Sequence, residues 1–146
     1  MGLFDAIDAT SSALSAERLR MDVVAENLAN AQTTRGPDGK PYQRKTVVLQ
    51  QMQDPGASFG EVLSGKLHKA PAGVEVAGIA TDTTAGRRVY DPGHPDADAQ
   101  GYITLPNVNP VTEMVDLITA QRAYEANVTA MQTAKTMFSR TLDLLR

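Results

Sequence analysis

The chain has 146 residues, a net charge of -3 and 21 % charged residues, without the basic excess expected of a nucleic-acid-binding protein. Aromatic residues are only 5 %, with no Trp and no Cys, which excludes disulfides and thiolate chemistry and suits an assembly of helices better than a dense enzyme core. No run approaches the roughly 18 apolar residues of a membrane span, and the opening MGLFDAIDATSSALSAERLR has neither a basic n-region nor an apolar h-region, so no cleaved signal peptide is expected.

Residues 3–31 carry a heptad. Ile7, Leu14, Met21 and Leu28 recur every seven residues, and Phe4, Ser11, Arg18 and Ala25 form a smaller second column. Leu3 and Val24 widen the apolar face. This predicts a helix about 43 Å long whose small column lets another backbone approach closely. Gly36-Pro37 ends it, and Asp38-Gly39 is a turn signal.

Residues 33–106 hold seven of the eight Pro and most of the Gly, a sharp shift in composition. Gln43 to Met52 has a β-branched centre and reads as a strand, ended by Asp54-Pro55-Gly56. Residues 57–69 fit one short helix around Phe59, Val62 and Leu63. Gly73 to Thr81 alternates, with Gly78 marking a bulge. Thr83-Thr84-Ala85-Gly86 turns the chain, so that Arg88-Val89-Tyr90 is expected as the second arm of a hairpin. Tyr102 to Leu105 is a last extended piece. With few large apolar residues, this is a thin β-rich insertion.

The final stretch, Pro110 to Arg146, has no internal Gly or Pro. Met114, Leu117, Gln121, Tyr124, Val128, Met131, Lys135, Phe138, Leu142 and Leu145 follow heptad spacing and predict a helix of about 54 Å with a narrow buried seam. Asn109 is a good N-cap and Pro110 fits the first turn. Gln121 and Lys135 interrupt the seam. They are either imperfections or polar positions that set register and partner. Arg122 and Glu125 read as surface or interface ion-pair residues. Two amphipathic helices of one four-helix bundle are the plain alternative, but no second helical pair of similar length is present.

Chemistry has little to stand on. Asp91, His94, Asp96 and Asp98 are four possible metal ligands in eight residues, and Asp96 to Gly101 starts like a calcium loop. The twelfth position is Asn107 instead of a bidentate Glu, so a hydrogen-bonded turn is expected there, with no metal. The only histidines are His68 and His94, and neither a nucleophile elbow nor a P-loop is present, so no enzyme, cofactor or small-molecule substrate is expected.

Four ordered motifs make a resemblance. Asp22 to Ala31, DVVAENLANA, resembles the N-terminal signature of the bacterial flagellar axial proteins. Thr33 to Tyr42 is a longer form of the segment that follows it, and is similar to the proximal-rod members of the flagellar basal-body rod family. Val89 to Pro95, Gly101 to Asn109 and Gln121 to Asn127 resemble, in turn, the middle segment, the approach to the last helix and the C-terminal axial signature. The resemblance implies a mainly α fold. A helix in 1–33 and a helix in 107–146 would pair as a coiled coil around the β-rich insertion 34–106.

It further implies a structural rod subunit required for motility, exported by the flagellar export apparatus and assembled in the periplasm. The implied neighbours are the other rod proteins (FlgB, FlgF, FlgG) and the rod-base adaptor FliE. The residues expected at its assembly interface are Ile7, Leu14, Met21, Asn27, Leu28 and Asn30 of the first helix. From the last helix come Met114, Leu117, Gln121, Arg122, Tyr124, Glu125, Asn127, Val128, Met131, Phe138, Leu142 and Leu145. A coiled-coil adaptor working outside the flagellum stays open as the other reading.

Overall fold

The computed structural model describes residues 3–52 and 73–144. The elements run α1 (Leu3–Ala29), β1 (Lys45–Gln51), β2 (Val74–Thr81), β3 (Arg88–Tyr90), β4 (Tyr102–Thr104) and α2 (Pro110–Leu144). The 27 residues of α1 and the 35 of α2 correspond to about 40 Å and about 52 Å of helix. The short helix expected in 57–69 and the seam residue Leu145 lie outside the described residues.

Local chemistry explains the helix ends. Asn109 Oδ1 accepts the Val111 N–H at 3.0 Å while the Asn109 carbonyl accepts the Glu113 N–H at 3.0 Å, so α2 starts at Pro110 with its first donors satisfied. α1 stops at Ala29, short of the expected residue 31. Asn30 Nδ2 donates to the Glu26 carbonyl at 2.9 Å, and its Oδ1 accepts from Thr33 Oγ1 at 3.1 Å. Such side-chain bonds compete with further helix propagation. The chain then folds back. Gly36 N–H meets the Lys40 carbonyl at 2.8 Å, Gly39 takes a φ of 70°, and Tyr42 N–H reaches the Thr33 carbonyl at 3.2 Å. A left-handed φ is easy for Gly and strained for other residues.

The expected hairpin between β2 and β3 does not form. β1 pairs with β2, and β3 pairs with β4. The β3–β4 pair is antiparallel, with Arg88 opposite Thr104, Val89 opposite Ile103 and Tyr90 opposite Tyr102. Pairing with β4 sets half-buried Val89 opposite buried Ile103, whereas β2 exposes Ile79. The Tyr90 and Tyr102 rings meet edge to face at 5.2 Å, and the Arg88 guanidinium lies 5.0 Å from the Tyr102 ring centre. The β1–β2 ribbon is bounded by the Met52 N–H to Gly73 carbonyl bond (3.1 Å) and the Asp82 N–H to Arg44 carbonyl bond (2.8 Å). The β2 side is one residue longer between those bonds, as a bulge requires, and Gly78 lies within it.

The chain divides into two compact units. One comprises Met1–Arg18, Leu49–Ala77 and Gln121–Arg146, and the other Leu19–Val48 and Gly78–Ala120. In the first, Ala16 and Ala134 are buried, and Ser12 Oγ accepts the Val74 N–H at 3.1 Å. In the second, Val23, Val24, Asn27, Ile103, Glu113 and Ala120 are buried.

Both helices keep a seven-residue rhythm, but its covered line is not the expected one. In α1 the column Ser11, Arg18, Ala25 is exposed and Ile7, Leu14, Met21, Leu28 are only half-buried. The covered centre is Ala16, Val23 and Asn27. In α2 the column Met114, Gln121, Lys135, Leu142 is exposed, as is Phe138, while Leu117, Tyr124, Val128 and Met131 are half-buried. The centre lies one residue earlier, at Glu113, Ala120 and Ala134, with Asn127 half-buried on the same line. Alanines and valines share the middle of the covered faces with the two buried polar side chains, Asn27 and Glu113. Larger apolar ones straddle the edges.

Gly86 illustrates how tightly the insertion is packed. A Cβ there would stand 1.8 Å from the Leu105 carbonyl oxygen. Backbone cannot yield as a flexible side chain does, so Gly86→Ala should destabilise the folded chain by about 2 kcal/mol, measured as a lower urea midpoint with an unchanged slope.

Candidate assembly interface

The second unit is built around a buried polar knot. Asn27, near the C-terminal end of α1, is fully buried, and so is Glu113 in the first turn of α2. Asn27 Nδ2 donates to Glu113 Oε2 at 2.9 Å and to the Lys45 carbonyl at 2.8 Å. Its Oδ1 accepts from the Tyr42 hydroxyl at 2.9 Å and from the Lys45 N–H at 2.9 Å. An amide side chain offers two donors and two acceptor sites, and all four are used. The other carboxylate oxygen of Glu113 accepts from Arg44 Nε at 2.6 Å, and Arg44 Nη2 also reaches Asp116 at 3.3 Å.

The knot extends through backbone. Arg44 N–H donates to Asn107 Oδ1 at 2.8 Å, and Asn107 Nδ2 donates to the Asp82 carbonyl at 3.0 Å. Lys45 Nζ pairs with Glu26 at 2.6 Å and lies 5.7 Å from the Tyr42 ring centre. One short strand start, Arg44-Lys45, therefore joins α1, α2 and the end of β2. A buried carboxylate with no partner would be expensive. Here Glu113 has a guanidinium, an amide and the positive end of a helix dipole.

The knot also shifts protonation. Burial, together with the carboxylates of Glu26 and Glu113, pushes the Tyr42 hydroxyl up to about 12. The hydrogen bond to Glu113 raises the Arg44 guanidinium further above its already high value.

The acidic loop between β3 and β4 is held by its own bonds. Asp98 accepts from the backbone N–H of Tyr102 (2.9 Å) and Gln100 (2.8 Å) and from Arg88 Nη2 (2.6 Å). Those donors hold its carboxyl below the usual range, the Tyr102 N–H most of all. Asp96 accepts from Thr34 Oγ1 at 2.8 Å, which lowers it in the same way, with Arg35 at 3.5 Å. Asp91 Oδ1 accepts the Gly93 N–H at 3.2 Å, and His94 Nδ1 accepts the Asp96 N–H at 3.1 Å. Each of the four residues that read as metal ligands thus accepts at least one bond within its turn or from the loop after α1.

Of the residues expected at an assembly interface, Asn27 is a buried structural bridge and Asn30 a helix cap. Met114, Gln121, Arg122, Glu125, Phe138 and Leu142 lie on the surface. Gln121 Nε2 donates to Glu125 Oε1 at 3.1 Å. The largest exposed apolar residues of α2 also include Val111 (69 %), Val115 (58 %) and Ile118 (52 %), which the heptad reading did not select. Tyr42, Arg44, Asn107 and Glu113 were missed as well. The sequence signal for Glu113 was its place on the Ala120, Asn127, Ala134 line.

A chain with two long helices, an exposed apolar face on α2 and a polar lock between the end of α1 and the start of α2 has the build of an assembly subunit. Comparison with known proteins agrees. Residues 7–37 match the family model described as flagella basal body rod protein, and residues 99–144 match the flagellar basal body rod FlgEFG protein C-terminal model. The class is therefore a flagellar rod protein.

Curated relatives narrow this. The flagellar basal-body rod protein FlgC of Bacillus subtilis is 44 % identical, with 99 % of each chain covered. Its namesake in Borreliella burgdorferi is 43 % identical over 100 % of this chain and 99 % of that one. That of Aquifex aeolicus is 38 % identical over 98 % and 97 %. The chain belongs to the FlgC family of flagellar basal-body rod proteins, whose members are structural proteins of the rod. Among the described residues no helix is long and apolar enough to cross a membrane.

Two outcomes follow from the knot. Asn27→Ala leaves Glu113, Tyr42 and the Lys45 backbone short of partners in a buried site and should cost about 3 kcal/mol, read by urea denaturation. Tyr42 should be the late tyrosine in an alkaline absorbance titration. Its folded value, about 12, lies above the ordinary tyrosine value of 10.0, so its contribution to stability is complete below pH 10. That contribution is lost as pH rises through 12, because the unfolded chain gives up the proton first. Tyr42→Phe should remove that late step.

Proposed function

We propose that the chain builds the hollow rod through its terminal helices, with 1–33 and 107–146 pairing as a coiled coil and 34–106 projecting from it. On this reading it transmits torque by helix packing. It leaves the cell through the flagellar export apparatus without a cleaved signal and assembles in the periplasm. It contacts the rod proteins FlgB, FlgF and FlgG and the adaptor FliE. Its task is mechanical, and no bond is made or broken.

The observation that carries the reading is an inversion of the usual burial order. α2 covers Ala120 and Ala134 and exposes Val111, Val115, Ile118, Met137 and Leu142. A subunit that ends its life inside an assembly has reason to leave large apolar side chains outside.

The test uses half-buried Val128. Val128→Asp places a carboxylate at a half-buried position of α2, and burying a charge without a partner costs several kcal/mol. Cells carrying it as the sole copy should make and export the chain but be non-motile, with basal bodies lacking it. Val128→Ile should swim normally. Normal swimming by the Asp variant would show that this stretch of α2 is not an assembly surface.

A further inference from the structure

The outer faces of the two helices fit each other. On α2, Val115, Ile118, Arg122, Glu125 and Thr129 follow one another at steps of three and four and are exposed, on the side opposite Glu113 and Ala120. On α1, Ala29, Ala25, Asp22, Arg18 and Ser15 do the same, opposite Ala16, Val23 and Asn27. Laid antiparallel in one register, the two rows match throughout. Val115 meets Ala29, Ile118 meets Ala25, Arg122 meets Asp22, Glu125 meets Arg18 and Thr129 meets Ser15.

Large apolar side chains thus fall on small ones, as ridges fall into grooves, and each charge falls on its opposite. Arg18, Asp22 and Arg122 have no ion-pair partner among the described residues. Each row lies on the outer side of its own helix, so the same chain cannot close the contact on itself while Asn27 and Glu113 hold the inner sides together.

We propose that the outer face of α2 in one copy docks antiparallel on the outer face of α1 in a second copy, in this register. The proposal rests on the rod-subunit reading and specifies its copy-to-copy contact. Because different patches meet, the second copy's α2 face stays open for a third. The contact is heterologous and propagates, where an α2-to-α2 contact would close as a two-fold dimer. An α2-to-α2 contact would also leave Asp22 and Arg18 unused.

The absence of native Cys gives a clean cross-linking test. The double variant Ala25→Cys with Ile118→Cys is made the sole copy in cells, basal bodies are isolated and oxidised, and the products are separated without reductant. A ladder of dimers, trimers and higher covalent multimers is expected, collapsing to monomer on reduction. Neither single variant should cross-link. Ala25→Cys with Val111→Cys, about 10 Å out of register, should give none, because a disulfide tolerates Cα separations only to roughly 7 Å.

Charge reversal supplies the second readout. Asp22→Arg and Arg122→Asp should each lose swarming, and the double variant should recover it. Three results overturn the contact while leaving the rod reading intact. One is a double-Cys chain present in basal bodies without a ladder. The others are a dimer from Ile118→Cys alone, and adducts only to a different rod protein. Absence of the unaltered chain from basal bodies would instead defeat the rod reading, and this contact with it.

Discussion

The structure depends on what Asn27 does with four hydrogen bonds. Its amide ties α1 to Glu113 of α2, to the hydroxyl of Tyr42 and to both backbone polar groups of Lys45. No apolar residue could do this, because apolar contact has no direction and tolerates a slide of one residue. Hydrogen bonds to fixed partners do not. The knot therefore sets the register between the end of α1 and the start of α2. It does so where Ala120, Val23 and Val24 supply burial but little shape discrimination. Buried polar groups often cost stability relative to a well-packed apolar core. At the end of α1 and the start of α2 that trade fixes a single alignment.

The same logic explains why the insertion starts as it does. The turn at Gly36 to Lys40 returns the chain so that Tyr42, Arg44 and Lys45 arrive beside α1 and α2. Arg44 then neutralises Glu113 while its own backbone is fixed by Asn107, the residue that begins the approach to α2. The loop after α1, the start of β1, the end of β2 and the cap of α2 are thus linked by polar bonds. A two-stranded ribbon is marginal alone in water. Anchoring Arg44 and Asp82 at one end of the β1–β2 ribbon, and Ser12 to Val74 at the other, compensates for its few buried side chains.

Much of this was legible in the sequence, for identifiable reasons. The two long helices follow from apolar periodicity without Gly or Pro, and the start of α2 follows from Asn109-Pro110. β1 and β2 follow from β-branched runs and alternation. The covered faces were misplaced because periodicity analysis weights large apolar residues. This chain puts Ala16, Ala120 and Ala134 in the middle and Met114, Phe138 and Leu142 outside. The β3 partner was misassigned because a turn signal at Thr83 to Gly86 states that the chain bends, not which strand it meets. Glu113 lies outside the apolar seam that the periodicity selects. Its burial depends on Arg44, distant in sequence, and no local pattern carries that information.

The placement of polarity has a consequence for assembly. Interactions that fix alignment, Asn27 with Glu113 and Glu113 with Arg44, are strong in the low-dielectric interior and need no neighbour. Residues left outside, Val111, Val115, Ile118 and Leu142, are apolar and gain only when another surface covers them. A chain built in this way is specified before it polymerises and stabilised further by polymerising. Exposed α2 threonines sharpen the distinction. Thr119, Thr129, Thr133, Thr136 and Thr141 each donate the hydroxyl to the carbonyl four residues earlier. Their hydrogen-bonding capacity is thereby partly spent within the helix, and they present methyl groups as well as oxygen to a neighbour. Such a surface can pack against another helix without leaving a stranded donor.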